Sequence, residues 1–165
     1  GHGVAFADLD DDGDQDLFEQ MGGLFPGDSA RNVLYENPGF GNHWLKVRLV
    51  GTESDRSGLG ASLRVDLVES GKRRSVHRRV GNGGSFGSNP IVQHLGLGAA
   101  ASVRSLTVRW PVSGTEQVLT GIAADQTIEI VEGEEGYRVV TPKPVRFASR
   151  RESRVRHAHS DNRRK

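Results

Sequence analysis

Short apolar runs that alternate strictly with polar residues recur along this chain, and they leave room for little besides β-strands. In Trp44-Leu45-Lys46-Val47-Arg48-Leu49, the residues Leu45, Val47 and Leu49 fall on one side, Lys46 and Arg48 on the other. Leu63, Val65 and Leu67 repeat the pattern, as do Val76 and Val80 with Arg78 between them. So do Leu106, Val108 and Trp110 opposite Thr107 and Arg109, and Ile128 and Ile130 around Glu129. A period of two sends successive side chains to opposite faces of a pleated strand, so one face of each run is built for a core. Turn signals separate the runs at Ser70-Gly71-Lys72, Gly81-Asn82-Gly83-Gly84, Ser113-Gly114 and Glu132-Gly133, and 22 glycines in all suit a turn-rich chain. The expected class is all-β: an antiparallel β-sandwich or barrel-like domain. Gly81 to Ser85 reads as a hairpin turn, Ala99-Ala100-Ala101 as at most one helical turn, and Tyr137 to Val140 as a last strand halted by Pro142 and Pro144.

A chain of 165 residues suffices for one core and some additional structure. No apolar stretch approaches the ~20 residues of a membrane-spanning helix. The absence of cysteine excludes disulfides, thiol catalysis and cysteine-based zinc sites. The chain does not begin with Met and opens as if inside a repeat, so it is expected to be the C-terminal portion of a longer protein.

Ahead of the alternating runs stands an acidic loop, Asp8-Leu9-Asp10-Asp11-Asp12-Gly13-Asp14-Gln15-Asp16. Carboxylates occupy its first, third, fifth, seventh and ninth places, with glycine at the sixth to let the backbone turn sharply. Like charges this dense repel one another unless a hard cation joins them, and Ca²⁺ takes six to eight oxygens at about 2.3–2.6 Å. The expected ligands are the side chains of Asp8, Asp10, Asp12 and Asp16 and the backbone carbonyl of Asp14. The EF-hand pattern is formally matched, with Glu19 in its closing place. That loop needs helices on both sides, whereas Val4 to Leu9 alternates with period two, Leu17-Phe18 follows at once, and glycines crowd both flanks. Strand, calcium loop, strand is therefore the expected arrangement, with Glu19 no ligand.

The stretch Gly3 to Leu17 resembles an FG-GAP/VCBS repeat, the unit of integrin-type β-propellers, and Leu34-Tyr35-Glu36-Asn37 resembles the end of one. The resemblance implies Ca²⁺ between two strands of a blade, on those same aspartate positions. The chain beyond Asn37 resembles the ASPIC/UnbV domain of the cartilage acidic protein-like family. Its motifs are Asn42-His43-Trp44-Leu45-Lys46-Val47, Arg56-Ser57-Gly58-Leu59-Gly60-Ala61, Gly83-Gly84-Ser85-Phe86, His94-Leu95-Gly96-Leu97-Gly98, Val108-Arg109-Trp110-Pro111 and Ala124-Asp125-Gln126. Asp55 and Asp125 stand where asparagine is expected, and Val112-Ser113 lengthens one turn. The implied organisation is a terminal calcium-binding repeat at 1–38, an ASPIC/UnbV-like β-domain at 39–135, and a last strand with a basic, disordered tail at 136–165.

The formal net charge of +1 conceals an asymmetry: residues 1–36 hold nine acidic side chains against Arg31 alone, and residues 143–165 hold nine Lys or Arg against Glu152 and Asp161. The basic tail has no aromatic beyond Phe147 to stack on bases, so specific nucleic-acid binding is not expected. His157-Ala158-His159 reads as solvated tail. The glycine-rich segments lack a P-loop ending or a following helix, and no spacing around His43, His77 and His94 proposes a hydrolytic triad. These readings converge on a non-catalytic, extracellular or cell-envelope module for adhesion or protein recognition, with structural Ca²⁺. Its partners would be an unknown protein or glycan and upstream propeller repeats of the same chain. The alternative is a carbohydrate-binding accessory of a larger surface or secreted hydrolase, although only Trp44, Trp110, Tyr35 and Tyr137 offer stacking surfaces, and Trp110 sits in an inward set.

Overall fold

The computed structural model describes residues 2–23, 25–83 and 88–141. Its elements are the strands β1 (Gly3–Ala7), β2 (Asp16–Gln20), β3 (Val33–Tyr35), β4 (His43–Val50), β5 (Ser62–Glu69), β6 (Lys72–Arg79), β7 (Gln93–Gly98), β8 (Ser102–Arg109), β9 (Glu116–Ala123), β10 (Gln126–Val131) and β11 (Arg138–Val140). No helix occurs among the described residues. The Ala99 segment is a plain turn in which Ala100 N donates to Leu97 O at 3.3 Å, and Ala100 is buried instead of beginning a helix.

Three sheets form: β1-β2-β3, β11-β10-β4-β7 and β6-β5-β8-β9. The two four-stranded sheets share one core. Leu45, Val47, Leu95, Leu97, Ile128 and Ile130 come from one sheet, and Leu63, Val65, Leu67, Val103, Leu106, Val108 and Ile122 from the other. Each alternating run turns its apolar set toward the opposite sheet, the arrangement of a β-sandwich rather than one closed barrel. Trp110, directly after β8 and in phase with its inward residues Leu106 and Val108, is 1% exposed.

Two expectations need correction. The sheets are not wholly antiparallel, because β10 runs parallel to β4, with Ile128 opposite Val47. Period-two alternation is the same for both directions; the direction follows from the long excursion through β5 to β9 before the chain returns beside β4. The stretch after Val80 is not a hairpin turn either. It leaves β6 in one sheet and leads to β7 in the other. Gly84, Ser85 and Phe86 lie outside the described residues, as do Pro142, Pro144 and the basic tail with His157 and His159. The edge strand β6 carries Lys72, Arg73, Arg74, Arg78 and Arg79, with only Val76 packed against the core. Charges of this kind discourage a sheet edge from pairing with other chains.

One polar cluster closes the sandwich end. Glu132, 4% exposed, accepts at Oε2 from the backbone N–H groups of Thr52 (2.8 Å), Glu53 (2.9 Å) and Ser54 (2.8 Å). Its Oε1 accepts from the hydroxyls of Ser54 and Ser113, both at 2.7 Å. Burial alone would raise this carboxyl, but the Ser54 and Ser113 hydroxyls and the Ser54 and Thr52 amides bring it down to about 2 from an ordinary 4.5. The turn between β4 and β5 is thereby tied to the end of β10. Asp55 completes the turn by accepting from Ser57 N at 2.9 Å, and Gly58, at φ +70°, lies where a Cβ would collide with Leu49.

Candidate calcium loop and its seat on the sandwich

β1 and β2 pair antiparallel, from Gly3 opposite Gln20 to Ala7 opposite Asp16, and the acidic loop is the turn between them. The flanks are strands, and Glu19 lies inside β2 opposite Val4 and Val33 rather than at the mouth of a helical loop. The loop is shaped by its own carboxylates. Asp8 accepts from Asp12 N (3.1 Å) and Gly13 N (2.8 Å), and Asp12 accepts from Asp14 N at 2.9 Å. Gly13 takes φ +103°, closed to most side chains, and a Cβ there would overlap the Trp44 indole. Glycine is thus required twice, by the turn and by what covers it.

Asp8, Asp10 and Asp12 each bring one oxygen within 4.8 Å of the others. Burial, with Asp12 and Asp16 nearby, raises the Asp10 carboxyl, and burial with Asp12, Asp8 and Asp16 raises that of Asp14. Burial is the larger cause of both shifts, and the neighbouring carboxylates add to it. Asp16 stands outside the group of three. It is 1% exposed, and its oxygens accept from Leu9 N (3.0 Å) and Asn37 N (2.9 Å), which fastens the loop to the segment after β3. Of the five expected ligand residues, the structure gathers the side chains of three and gives Asp16 a backbone-tying role.

Sequence reasoning missed what the loop rests on. The outer face of the β11-β10-β4-β7 sheet lies under it. Lys46 of β4 reaches Asp8 Oδ2 at 2.7 Å and Asp11 Oδ1 at 2.8 Å, with side-chain exposures of only 8% for Lys46 and 2% for Asp8. Burial would lower the Lys46 ammonium, but the hydrogen bonds to Asp11 and Asp8 and their charges hold it above its ordinary value. Its Nζ also lies 5.3 Å from the Trp44 ring centroid, and Trp44 packs against His94 at 5.8 Å. Asp11, omitted from the ligand set, takes φ +59° and turns to Lys46 instead of the cluster. No local pattern could have found this, since Lys46 looks like any outward charge on a half-buried strand.

His43, His77 and His94 lie on three different strands. His43 Nδ1 meets Asp125 Oδ2 at 2.7 Å, where Asp125, at φ +59°, also binds Trp44 N at 3.2 Å and joins β4 to β10. His77 lies on the edge strand β6 and His94 under the acidic loop.

Fold and site together define an all-β protein in which a two-sheet sandwich carries an acidic strand–loop–strand unit on its outer face. Residues 51–136 match the ASPIC and UnbV family, and the chain belongs to it. The match begins just after β4, which the structure nevertheless places in the middle of one sheet. No curated protein matches the chain. No helix among the described residues is long and apolar enough to cross a membrane.

Proposed function

We propose that this chain is a non-catalytic, extracellular calcium-binding module for adhesion or protein recognition, in which a terminal FG-GAP/VCBS-type repeat is seated on an ASPIC and UnbV domain. The observation that carries this reading is the convergence of Asp8, Asp10 and Asp12 oxygens within 4.8 Å on a turn between two strands. Asp8, Asp10 and Asp12, with the Asp14 carbonyl, fit a hard, oxygen-preferring cation, which would neutralise the crowded carboxylates and hold the turn rigid, while Asp16 braces the loop through Leu9 N and Asn37 N. The ion has a structural part in this reading and activates no substrate.

Kinship with propeller blades is supported by the surface of the small sheet. Val4, Phe6 and Tyr35 on one face of the small sheet, and Phe18 and Leu34 on the other, are between 38% and 54% exposed, more apolar surface than three short strands keep in water without neighbours. Preceding blades of the same chain would cover it. Extracellular modules bind Ca²⁺ with dissociation constants near 10⁻⁴–10⁻³ M, which suits the cell exterior or envelope and leaves such a loop empty in cytosol. Calorimetric and thermal-unfolding titrations of the chain with Ca²⁺, using Mg²⁺ as control, test the site. Millimolar Ca²⁺ should release heat and raise Tm, and Asp10→Asn should remove both effects. Absence of heat and of stabilisation in the unaltered chain would sink the proposal.

A further inference from the structure

The outer face of the β6-β5-β8-β9 sheet, on the side of the sandwich away from the acidic unit, carries a basic groove. Alternation turns Leu63, Val65, Leu106 and Val108 into the core, so Ser62, Arg64, Thr107 and Arg109 point outward. Register sets Ser62 of β5 between Arg79 of β6 and Arg109 of β8, and sets Arg64, two residues along β5, beside His77. An open hollow of about 430 Å³ lies over this group, and a second of about 280 Å³ continues it past Gly60 and Pro111. Ser62, Arg79 and Arg109 line both, so the floor is small and the walls are guanidinium.

Arg79 and Arg109 are exposed and have no carboxylate partner among the described residues. Arg64 gives its Nε to Asp66 at 3.1 Å, which orients the side chain and leaves both terminal NH₂ groups for a ligand. Glu116 is the one carboxylate among the described residues that lines either hollow. It stands on β9, opposite Arg109 and on the side away from Ser62, and the two form no ion pair. Protection of a sheet edge accounts for the charges on β6 but not for Arg64 and Arg109, because β5 and β8 are interior strands paired on both sides.

The lining also narrows the occupant. No large apolar side chain is exposed in it, so it lacks the anchor sites on which a folded protein partner depends. Its one Trp, Tyr or Phe is Trp110, which at 1% exposure cannot stack on a nucleic-acid base. Strand spacing puts the bases of Arg79 and Arg109 roughly 9–10 Å apart, with Arg64 about 8 Å from each. Guanidiniums rooted this way around a serine can close together on one tetrahedral oxyanion, which accepts from several directions. A planar carboxylate is filled by a single guanidinium. The groove past Gly60 leaves room for a chain running on from that oxyanion.

We propose that this groove binds a linear sulfated polysaccharide, with one sulfate ester held over Ser62 by Arg64, Arg79 and Arg109 and sugar hydroxyls meeting Thr107. None of these residues belongs to the acidic unit, so the site stands apart from calcium binding.

The test is a calorimetric titration of the full chain with a heparin oligosaccharide, located on the chain by amide chemical shifts. Controls are the same oligosaccharide stripped of sulfate but keeping its carboxylates, single-stranded oligothymidylate and a phosphoserine peptide. Residues 143–165 hold nine Lys or Arg and also attract polyanions. Arg79→Gln with Arg109→Gln is therefore compared with Arg150→Gln with Arg151→Gln, which removes the same charge from the tail. Heparin shifts should centre on Ser62, Arg64 and Thr107. The groove variant should lose about tenfold or more in affinity and the tail variant less than about threefold, both unfolding at the original temperature. Equal losses in the two variants, or shifts that leave Ser62 and Arg64 unmoved, would overturn the proposal. So would desulfated polymer, oligothymidylate or phosphopeptide binding as tightly as heparin.

Discussion

Replacing Glu132 isolates how much of this fold depends on a single carboxylate. In Glu132→Gln the amide oxygen can face the three N–H groups of Thr52, Glu53 and Ser54, and its NH₂ can donate to the Ser54 and Ser113 hydroxyls, which then act as acceptors. The contacts to residue 132 survive in neutral form, so the charge is lost together with the acceptor for the Ser54 and Ser113 hydroxyl protons. The fall of the carboxyl from 4.5 to about 2 corresponds to roughly 3 kcal/mol at full strength. Thr52 and Glu53 are exposed and water reaches that side of the turn, so screening reduces the figure to about 1–2 kcal/mol. In Glu132→Ala the five donors lose their acceptor. Water can reach two of the amides but not the buried Ser54, and the loss rises to about 2–4 kcal/mol.

The pH dependence follows from the depressed folded value. The stabilisation is complete above about 4.5 and is lost as pH falls from 4.5 through about 2. Denaturant unfolding of the original chain and both variants at pH 7 and pH 3 checks this. Glu132→Gln should be the less stable at pH 7, by a margin that shrinks at pH 3, and Glu132→Ala should be weaker than Glu132→Gln at both. A gap between Glu132 and Gln that does not change with pH would show that the charge is not what holds the turn.

Three further outcomes are expected. Gly13→Ala forces a side chain into φ +103° and into the Trp44 indole, so it should lift the acidic loop from its seat, cost about 2 kcal/mol or more, and shift Trp44 emission. Lys46→Met removes an ammonium that competes with Ca²⁺ for Asp8; calorimetry should show calcium affinity tightening several-fold, about 1 kcal/mol, while unfolding in the absence of calcium becomes easier. Leu106→Ala, at 0% exposure between the two sheets, should cost about 2–5 kcal/mol in denaturant unfolding without altering calcium binding.

What the sequence determined by itself was local. Alternation at Leu45-Val47-Leu49, Leu63-Val65-Leu67 and Leu106-Val108-Trp110 marks strands and their buried faces, because the pleat repeats every two residues wherever the strand is placed. The acidic loop was equally legible, since the spacing of Asp8, Asp10 and Asp12 and the demand for Gly13 are features of one short turn. Tertiary structure alone decided the parallel pairing of β10 with β4, for alternation does not encode a strand's partner or its direction. It also reversed the environment of Lys46. On an outward position a lysine is expected to meet water, yet here the outer face of one sheet is the seat of another unit. Glu132 and Thr127 teach the same lesson, one satisfied by five donors from distant turns and the other buried without a partner. Hydrogen bonding and desolvation depend on what the chain brings together across long sequence separations, and no window of neighbouring residues contains that information.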